Sequence, residues 1–296
     1  MAATALTLVP EPDAPHEFLP HVAVEVDGVT VDAILDSGAG RTQITWRPGL
    51  ELRAAPENGG TGATGAPLPS LGRCVVSLRI AGIEVGPLEV DVVPPGRTRR
   101  TDLVGQDVLS RFRCLYELAG ARLTLDAEPQ QTTAAVWVGD HGHVLLEVSW
   151  PELEVRALAL LDTGASSTVV DTRFAERHPE LVQLDGVVTG QDASGATFEA
   201  RTGIVRGPVV LGARLDRAAV AAMDLGAIDL GADRAVELVL GWSTLRQAEW
   251  YVDHRGRRAA CLPLSTTNRP GHDQARSPLP TPGPAHPLFR PETRGR

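Results

Sequence analysis

The sequence contains no lysine, so all 28 of its basic side chains are arginine. This absence excludes mechanisms that need a lysine amine, such as a Schiff base to a carbonyl or the lysine of a P-loop or a kinase. The formal net charge is −9, whereas binding to nucleic-acid phosphates needs clustered positive charge. The composition therefore argues against lysine-dependent enzymes and against nucleic-acid binding.

Cysteines and long apolar runs are also scarce. The three cysteines, Cys74, Cys114 and Cys261, are odd in number and widely spaced, which favours small buried side chains over a disulfide framework or a zinc site. No stretch approaches the roughly 20 apolar residues of a membrane-spanning helix. Residues 1–20 carry acids and four prolines in place of the basic and apolar regions of a signal peptide. We therefore expect a cytoplasmic, reduced protein that does not bind membranes.

Glycine and proline are abundant, with 30 and 23 residues, and favour a globular fold of strands and turns. Prolines crowd residues 265–296 and leave no period for a helix or a strand, which predicts a disordered tail. This tail has five arginines and two acids, a charge of +3, so the other 264 residues carry −12. The predicted folded body is more acidic than the whole chain.

The body consists of one sequence unit that occurs twice. Residues 21–45 run from a His-led apolar strand through a second strand into Asp-Ser-Gly-Ala and a third strand. Residues 143–170 repeat this order with Asp-Thr-Gly-Ala, and are four residues longer between the His and the Asp. Two related units, rather than two different domains, therefore explain the length of the chain.

Further matching features follow in both copies. Each copy has a Gly-rich segment that is predicted to form a hairpin tip, residues 59–65 and 190–195. A strand-forming run comes next, residues 74–93 and 203–223. Two landmark glycines, Gly105 and Gly241, then lie 69 and 79 residues after the Asp of their copy. Short helices and closing hairpins are expected last: helices over 108–112 and 243–247, hairpins over 115–125 and 250–262.

An apolar strand that ends in Asp-Ser/Thr-Gly holds a carboxylate at the edge of a sheet, on a turn that glycine makes tight. A single copy of this tripeptide usually marks an ordinary strand end. Two copies in the same setting indicate a paired active site. Two carboxylates within hydrogen-bond distance cannot both ionise, so such a pair shares one proton and can activate a water molecule.

With the motifs Asp36-Ser37-Gly38-Ala39 and Asp162-Thr163-Gly164-Ala165, the chain resembles the pepsin and retropepsin clan of aspartic proteases. It is most similar to the retroviral-like branch, as a single-chain, bacterial-type fusion of two lobes. The resemblance covers residues 18–264. It implies an all-β, bilobed acid-protease fold, made of two homologous retropepsin-like β-barrel lobes related by a pseudo-twofold axis. It also implies a monomer that cleaves polypeptides without a metal or another cofactor.

By the same resemblance, Asp36 and Asp162 form the catalytic pair. The other motif residues support the active-site loops, and the landmark glycines lie behind them: Ser37, Gly38, Ala39, Thr163, Gly164, Ala165, Gly105 and Gly241. Glycines of the Gly-rich segments are candidate hinges of two flaps over the substrate: Gly60, Gly62, Gly65, Gly190 and Gly195. Ordinary exposed hairpins are the alternative for these segments.

Two other groups of residues have simpler interpretations. Residues 140–143, Asp-His-Gly-His, lack a third ligand at a finger or helix spacing, so a polar loop is favoured over a metal site. The tryptophans are interpreted as core or inter-lobe packing: Trp137, Trp150, Trp242 and Trp250.

The sequence thus predicts an N-terminal extension (1–17), a first lobe (18–128), a linker (129–135), a second lobe (136–264) and the tail (265–296). The predicted function is that of an aspartic endopeptidase in which Asp36 and Asp162 activate a water. A peptide-binding module or pseudoprotease with the same fold is the first alternative. A structural repeat protein is the second.

Overall fold

A computed structural model of the chain describes residues 1–12, 14–54, 60–96, 102–139, 141–228 and 230–264. The predicted tail over 265–296, together with Gly59 and Asp140, lies outside the described residues. Residues 1–264 form one compact unit. Most of this unit is β-strand, which confirms the predicted all-β class. Within the described ranges, none of the helices is long and apolar enough to cross a membrane.

The first lobe is a closed barrel. Its strands are β1 (Ala2–Glu11), β2 (Ala14–Val26), β3 (Val29–Leu35), β4 (Gln43–Thr45), β5 (Gly72–Ile80), β6 (Ile83–Val93), β7 (Leu103–Val104), β8 (Arg113–Glu117) and β9 (Arg122–Leu125), with the helix α1 (Gln106–Leu109) after β7. The strands are hydrogen-bonded in the order β2-β3-β7-β4-β6-β5, and a β2–β5 pairing closes the ring. Buried and exposed side chains alternate along β5, because one face of the strand covers the core.

The second lobe repeats this arrangement. Its strands are β10 (Ala134–Ala135), β11 (Trp137–Val138), β12 (Val144–Trp150), β13 (Val155–Leu161), β14 (Thr168–Asp171), β15 (Val182–Gln191), β16 (Thr197–Val205), β17 (Val209–Val210), β18 (Ala213–Arg214), β19 (Ala218–Met223), β20 (Leu238–Leu240), β21 (Ala248–Asp253) and β22 (Arg258–Pro263), with helices α2 (Thr172–Arg177) and α3 (Trp242–Leu245). The core order is β16-β19-β14-β20-β13-β12, in which β13 and β20 are parallel, as β3 and β7 are in the first lobe.

A sheet of strands from both lobes joins them, in the order β10-β22-β21-β8-β9-β1. The two lobes meet where β8 pairs antiparallel with β21, with Tyr116 opposite Trp250 and both side chains buried. The β8–β9 and β21–β22 pairings confirm the predicted closing hairpins. The predicted extension and linker supply the outer strands β1 and β10. Backbone hydrogen bonds therefore fix the lobes relative to one another.

Some local features differ from the sequence predictions. The helices α1 and α3 begin at Gln106 and Trp242, earlier than predicted, because the carbonyls of Gly105 and Gly241 accept the first helical hydrogen bonds, at 3.0 and 2.8 Å. The helix α2 was not predicted. Its first turn is capped by the carboxylate of Asp171, which accepts hydrogen bonds from two backbone amides of the helix.

The core confirms the interpretation of the cysteines. Cys74, Cys114 and Cys261 are unbonded to one another and buried. Trp150 and Trp250 are also buried in the main core, as expected for packing residues.

Candidate active site

The two motif aspartates follow the corresponding strands of the two lobes. Asp36 comes directly after β3, and its amide donates to the Val104 carbonyl of β7 at 3.0 Å. Asp162 comes directly after β13, and its amide donates to the Leu240 carbonyl of β20 at 3.1 Å. The parallel pairing in each lobe thus places the two aspartates at equivalent strand ends. We call residues 36–39 the first loop and residues 162–165 the second loop.

The hydroxyl groups of Ser37 and Thr163 connect the two loops. Each accepts a hydrogen bond from the backbone amide of the other residue, Ser37 N to Thr163 Oγ1 at 3.0 Å and Thr163 N to Ser37 Oγ at 2.9 Å. Each hydroxyl also donates to a carbonyl of the opposite lobe, Ser37 Oγ to Leu161 at 2.9 Å and Thr163 Oγ1 to Leu35 at 2.5 Å. Both residues are almost fully buried. These four bonds hold the loops together in a nearly symmetric way.

The motif glycines let each carboxyl group approach the opposite loop closely. A Cβ on Gly38 would overlap the carboxyl group of Asp162, and a Cβ on Gly164 would overlap that of Asp36. Asp36 Oδ1 accepts hydrogen bonds from the amides of Gly38 and Ala39, both at 2.9 Å. Asp162 Oδ1 accepts one from Gly164 at 2.8 Å. Each carboxyl group therefore lies against the backbone of the opposite loop, where only glycine fits.

The landmark glycines lie directly behind the loops. A Cβ on Gly105 would overlap the backbone of Arg41, and one on Gly241 would overlap that of Ser167. The next residue in each lobe donates its amide to the loop alanine, to Ala39 at 2.8 Å and to Ala165 at 2.9 Å. The helices α1 and α3 can therefore dock closely on the loops.

Different side chains hold the next part of each loop. In the first lobe, Asp107 accepts hydrogen bonds from the amide and the hydroxyl of Thr42, at 2.9 and 2.6 Å. Burial raises the pKa of Asp107, although the hydrogen bonds from Thr42 act in the opposite direction. In the second lobe, the Ser243 hydroxyl takes this place and accepts from the amide of Thr168 at 3.0 Å. Asp107 and Ser243 thus differ in chemistry but have the same structural role, which is to accept a hydrogen bond from the amide of the equivalent threonine.

Two further side chains contact the first loop and were not identified from the sequence. Gln106 Nε2 donates to the Ser37 carbonyl at 2.7 Å. His143 Nε2 lies 3.0 Å from the Gly38 carbonyl. Gln106 directly follows a landmark glycine, and His143 matches His21 in the other copy, so their positions in the repeat were the available signals. The polar loop predicted over 140–143 thus carries a histidine to the opposite lobe.

The Gly-rich segments form two hairpins that meet at their tips. Residues 60–68 form the first hairpin, closed by an antiparallel bridge between Thr61 and Pro67. The second hairpin is β15–β16. Asp192 at its tip accepts hydrogen bonds from the amide and the hydroxyl of Thr64, at 3.0 and 2.7 Å. The two tips are thus joined by a side chain of the second hairpin.

The candidate flap glycines have distinct places in these hairpins. Gly65 and Gly195 have positive φ angles, 80° and 86°, which turn positions require. A Cβ on Gly62 would overlap the Asp192 carboxylate, and one on Gly190 would overlap the Phe198 ring. Gly60 accepts a hydrogen bond that closes the first hairpin. These are turn and close-contact roles, and a hinge role stays a prediction.

Comparison with known proteins identifies the same two regions. A family model described as aspartyl protease matches residues 22–108 and 148–244, which together are more than half of the chain. Each matched region contains one of the two loops and its landmark glycine. No curated protein gives a significant match.

Proposed function

The chain belongs to the aspartyl protease family, and from this premise we propose that it is an aspartic endopeptidase. Asp36 and Asp162 act together on one water molecule and one peptide bond. The observation that supports this proposal is the reciprocal contact of the loops, in which each carboxyl group lies against the glycine of the other loop.

In the proposed reaction one carboxylate takes a proton from the water as the oxygen attacks the scissile carbonyl carbon. The other carboxyl group donates its proton to the carbonyl oxygen, which gives a neutral tetrahedral diol. Collapse of the diol breaks the C–N bond, and the first carboxyl group passes its new proton to the leaving nitrogen. The proton of the diol hydroxyl returns to the second carboxylate. The pair is thus regenerated without a covalent intermediate.

The loop contacts support this chemistry by holding two carboxyl groups at close range. Carboxylates that approach one another bind a single proton between them, since ionising both is costly. The buried hydroxyl groups of Ser37 and Thr163 link the loops that carry them. The geometry of the pair therefore depends on both lobes, and we expect neither lobe to cleave peptides alone.

The residue after each motif glycine affects the pH at which we expect the protein to be most active. Ala39 and Ala165 have no hydroxyl that could donate to a charged carboxylate, so the resemblance implies higher apparent pKa values for the pair than in pepsins. We expect the rate of cleavage to be highest nearer neutral pH. A profile of kcat/KM against pH with its maximum at strongly acidic pH would contradict this expectation.

The substrate and the location stay predictions. The charge of −12 on the first 264 residues favours neutral or basic peptides over acidic ones. A cleavage-site profile rich in acidic residues would contradict this preference. A cytoplasmic location is consistent with the expected pH range.

The test compares the wild-type protein with Asp36→Asn and Asp162→Asn on a diverse peptide mixture, with and without pepstatin. We expect both variants to lose cleavage, because each removes one partner of the pair. Glu128→Gln is a matched control, since this carboxylate is exposed and lies outside both loops. Equal cleavage by the wild type and both loop variants would disprove the proposal. Binding of peptides without cleavage by the wild type would assign the chain to the peptide-binding modules instead.

A further inference from the structure

The backbone of the first loop is held from both lobes. Two successive peptide groups, 37–38 and 38–39, each direct an N–H toward Asp36 Oδ1 at 2.9 Å. The carbonyl of each group accepts a side-chain hydrogen bond on its other side. Gln106 of the first lobe contacts the Ser37 carbonyl, and His143 of the second lobe contacts the Gly38 carbonyl. Two continuous hydrogen-bonded chains therefore end on the same carboxylate oxygen.

The contacts define which atoms donate. A backbone carbonyl only accepts, so Gln106 presents its amide nitrogen and His143 carries a hydrogen on Nε2. His143 is 6% exposed and Gln106 is fully buried. Burial lowers the pKa of His143, with a smaller opposing effect of the Gly38 carbonyl. Since Nε2 donates in both the neutral and the protonated ring, titration of His143 does not break the contact.

These chains favour a negative charge on Asp36. A donor on the carbonyl side of a peptide group polarises it and strengthens the hydrogen bond that its N–H donates. A carboxylate that accepts several backbone N–H groups is stabilised in its ionised form. The donors also restrict rotation of the two peptide groups, which keeps both N–H groups directed at Oδ1.

The residues at the equivalent positions of the other copy have different surroundings. Trp242 stands where the first lobe has Gln106, and its ring packs against Phe18, with 5.4 Å between the ring centroids. His21 stands where the second lobe has His143, and its Nδ1 lies 3.0 Å from the Asp32 carboxylate. The polar support of the first loop is thus matched by an aromatic contact near the second.

We propose that Gln106 and His143 are positioning residues that make Asp36 the charged member of the pair, which takes the proton from the water, while Asp162 holds the shared proton. This inference rests on the proposed function for its role in catalysis. The charge distribution itself is a property of the folded protein and can be measured without a substrate.

The experiment follows the carboxyl carbons of 13C-labelled aspartate by NMR as the pH is changed. Besides the two aspartates, the titratable groups near the loops include His143 and His141, whose ring centroids lie 6.2 Å apart. They also include Asp107, which binds Thr42 beside the first loop, and Glu17, whose side chain is hydrogen-bonded to Ser167 beside the second. In the wild type we expect Asp36 to stay charged down to lower pH than Asp162. His143→Phe should raise the titration midpoint of Asp36 by up to about half a unit, because it weakens, without removing, a backbone hydrogen bond to the carboxylate. His143→Gln retains an N–H donor, so the Asp36 midpoint in this variant should lie close to that of the wild type.

Two controls separate positioning from general damage. His21→Phe makes the same replacement at the matching place in the first lobe and should leave the Asp36 midpoint unchanged. Thermal unfolding of each variant checks that the fold is intact. An unchanged Asp36 midpoint in His143→Phe, or an equal shift in His143→Gln, would overturn the inference.

Activity gives a second, independent reading. If the wild type cleaves peptides, the acidic limb of its kcat/KM profile should move to higher pH in His143→Phe and return toward the wild-type position in His143→Gln. If the wild type cleaves no peptide, the proposed function fails, but the NMR titration still decides where the charge of the pair lies.

Discussion

The two lobes share a backbone framework but differ in the side chains around it. Both lobes place an aspartate after a strand that pairs in parallel with a second strand, and both use glycine where the loops and helices meet. Around this framework, the first loop is held by Gln106 and His143, whereas Trp242 packs on Phe18 near the second. Duplication has therefore preserved the geometry of the pair while its two members have acquired unlike surroundings.

The two Gly-rich hairpins differ in the same way. The second hairpin, β15–β16, is a long and regular ladder, whereas the described part of the first hairpin closes through a single bridge between Thr61 and Pro67. The regular hairpin supplies the acceptor Asp192, and the short one supplies the donor Thr64. The contact between the tips is consequently asymmetric, although the hairpins occupy matching places in the repeat.

The largest expected effect comes from the feature in which the lobes are most alike. Gly38→Ala and Gly164→Ala each place a methyl group in the space of the opposite carboxyl group. We expect each to reduce kcat/KM by at least about 100-fold, because small displacements of catalytic groups have effects of that size. Gly120→Ala is a control for the measurement, since a Cβ there meets only the Glu117 side chain, at 3.9 Å, and the φ angle of Gly120 is not positive. A much smaller loss in one variant would show that the loops are less symmetric than they look.

Loss of a loop hydroxyl should destabilise the protein. Ser37→Ala and Thr163→Val each leave a buried amide and a buried carbonyl without their partner. We expect each to lower the free energy of unfolding by about 2–4 kcal/mol, to be measured by denaturant titration. Thr163→Ser keeps the hydroxyl and should cost much less. A Thr163→Val variant as stable as the wild type would contradict the role of the hydroxyl.

A histidine of the second lobe should make the stability depend on pH. Burial lowers the pKa of His254 to about 4, despite opposing effects of the Phe112 backbone and Asp253. Its pKa is about 6.5 in the unfolded chain, which therefore binds more protons between these values. Stability should fall as the pH is lowered from about 6.5 to about 4, by roughly 2–3 kcal/mol at pH 4.5.

The first lobe provides the matched replacement for this histidine. Leu118 is buried at the corresponding place after β8, so His254→Leu makes the second lobe resemble the first. We expect this variant to lose that part of the pH dependence in denaturant titrations at pH 4.5 and 7.5. An unchanged difference between the two pH values would assign the dependence to other groups.

The smallest effect is expected at the hairpin tips. Asp192→Ala removes the acceptor of both Thr64 hydrogen bonds and should speed amide exchange at Thr64 by roughly fivefold, the equivalent of about 1 kcal/mol. Burial opposes the charge of Asp192, but hydrogen bonds from Ser194 and Thr64 prevail and lower its pKa. The contact should thus be intact at neutral pH and be lost only at pH values below the ordinary range of aspartate.

Asp185→Ala is the control for this experiment, because its carboxylate is exposed on the same hairpin. The exchange rate at Thr64 should be unchanged in this variant. Unchanged exchange in Asp192→Ala would show that other contacts hold the tips together.

The family, the all-β class and the repeat could be predicted from the sequence because local patterns carry them. An apolar strand and the motif at its end are visible within a short stretch of chain, and the landmark glycine follows in the same order in both copies. The cap of α2 was also visible, since Asp171 precedes the helix and accepts from its first amides. The helix was not predicted because the apolar residues just before it indicate a strand, β14, that ends at Asp171.

Contacts between distant residues could not be predicted in the same way. The pairing of β1 with β9 joins Ala2 to Leu125, and no local period indicates which strand lies opposite. Likewise, His143 meets the Gly38 carbonyl only because the second lobe packs against the first. Its match with His21 marked the position as part of the repeat but could not indicate that the two rings would have different partners.

The pairing of β8 with β21 has a consequence for synthesis on the ribosome. While only the first lobe has emerged, β8 has β9 on one side and unpaired amides and carbonyls on the other. At about 5–20 residues per second, β21 arrives roughly ten seconds later. During that interval the nascent chain presents an open strand edge to other chains, so added chaperones or a lower number of nascent chains should increase the yield of folded protein.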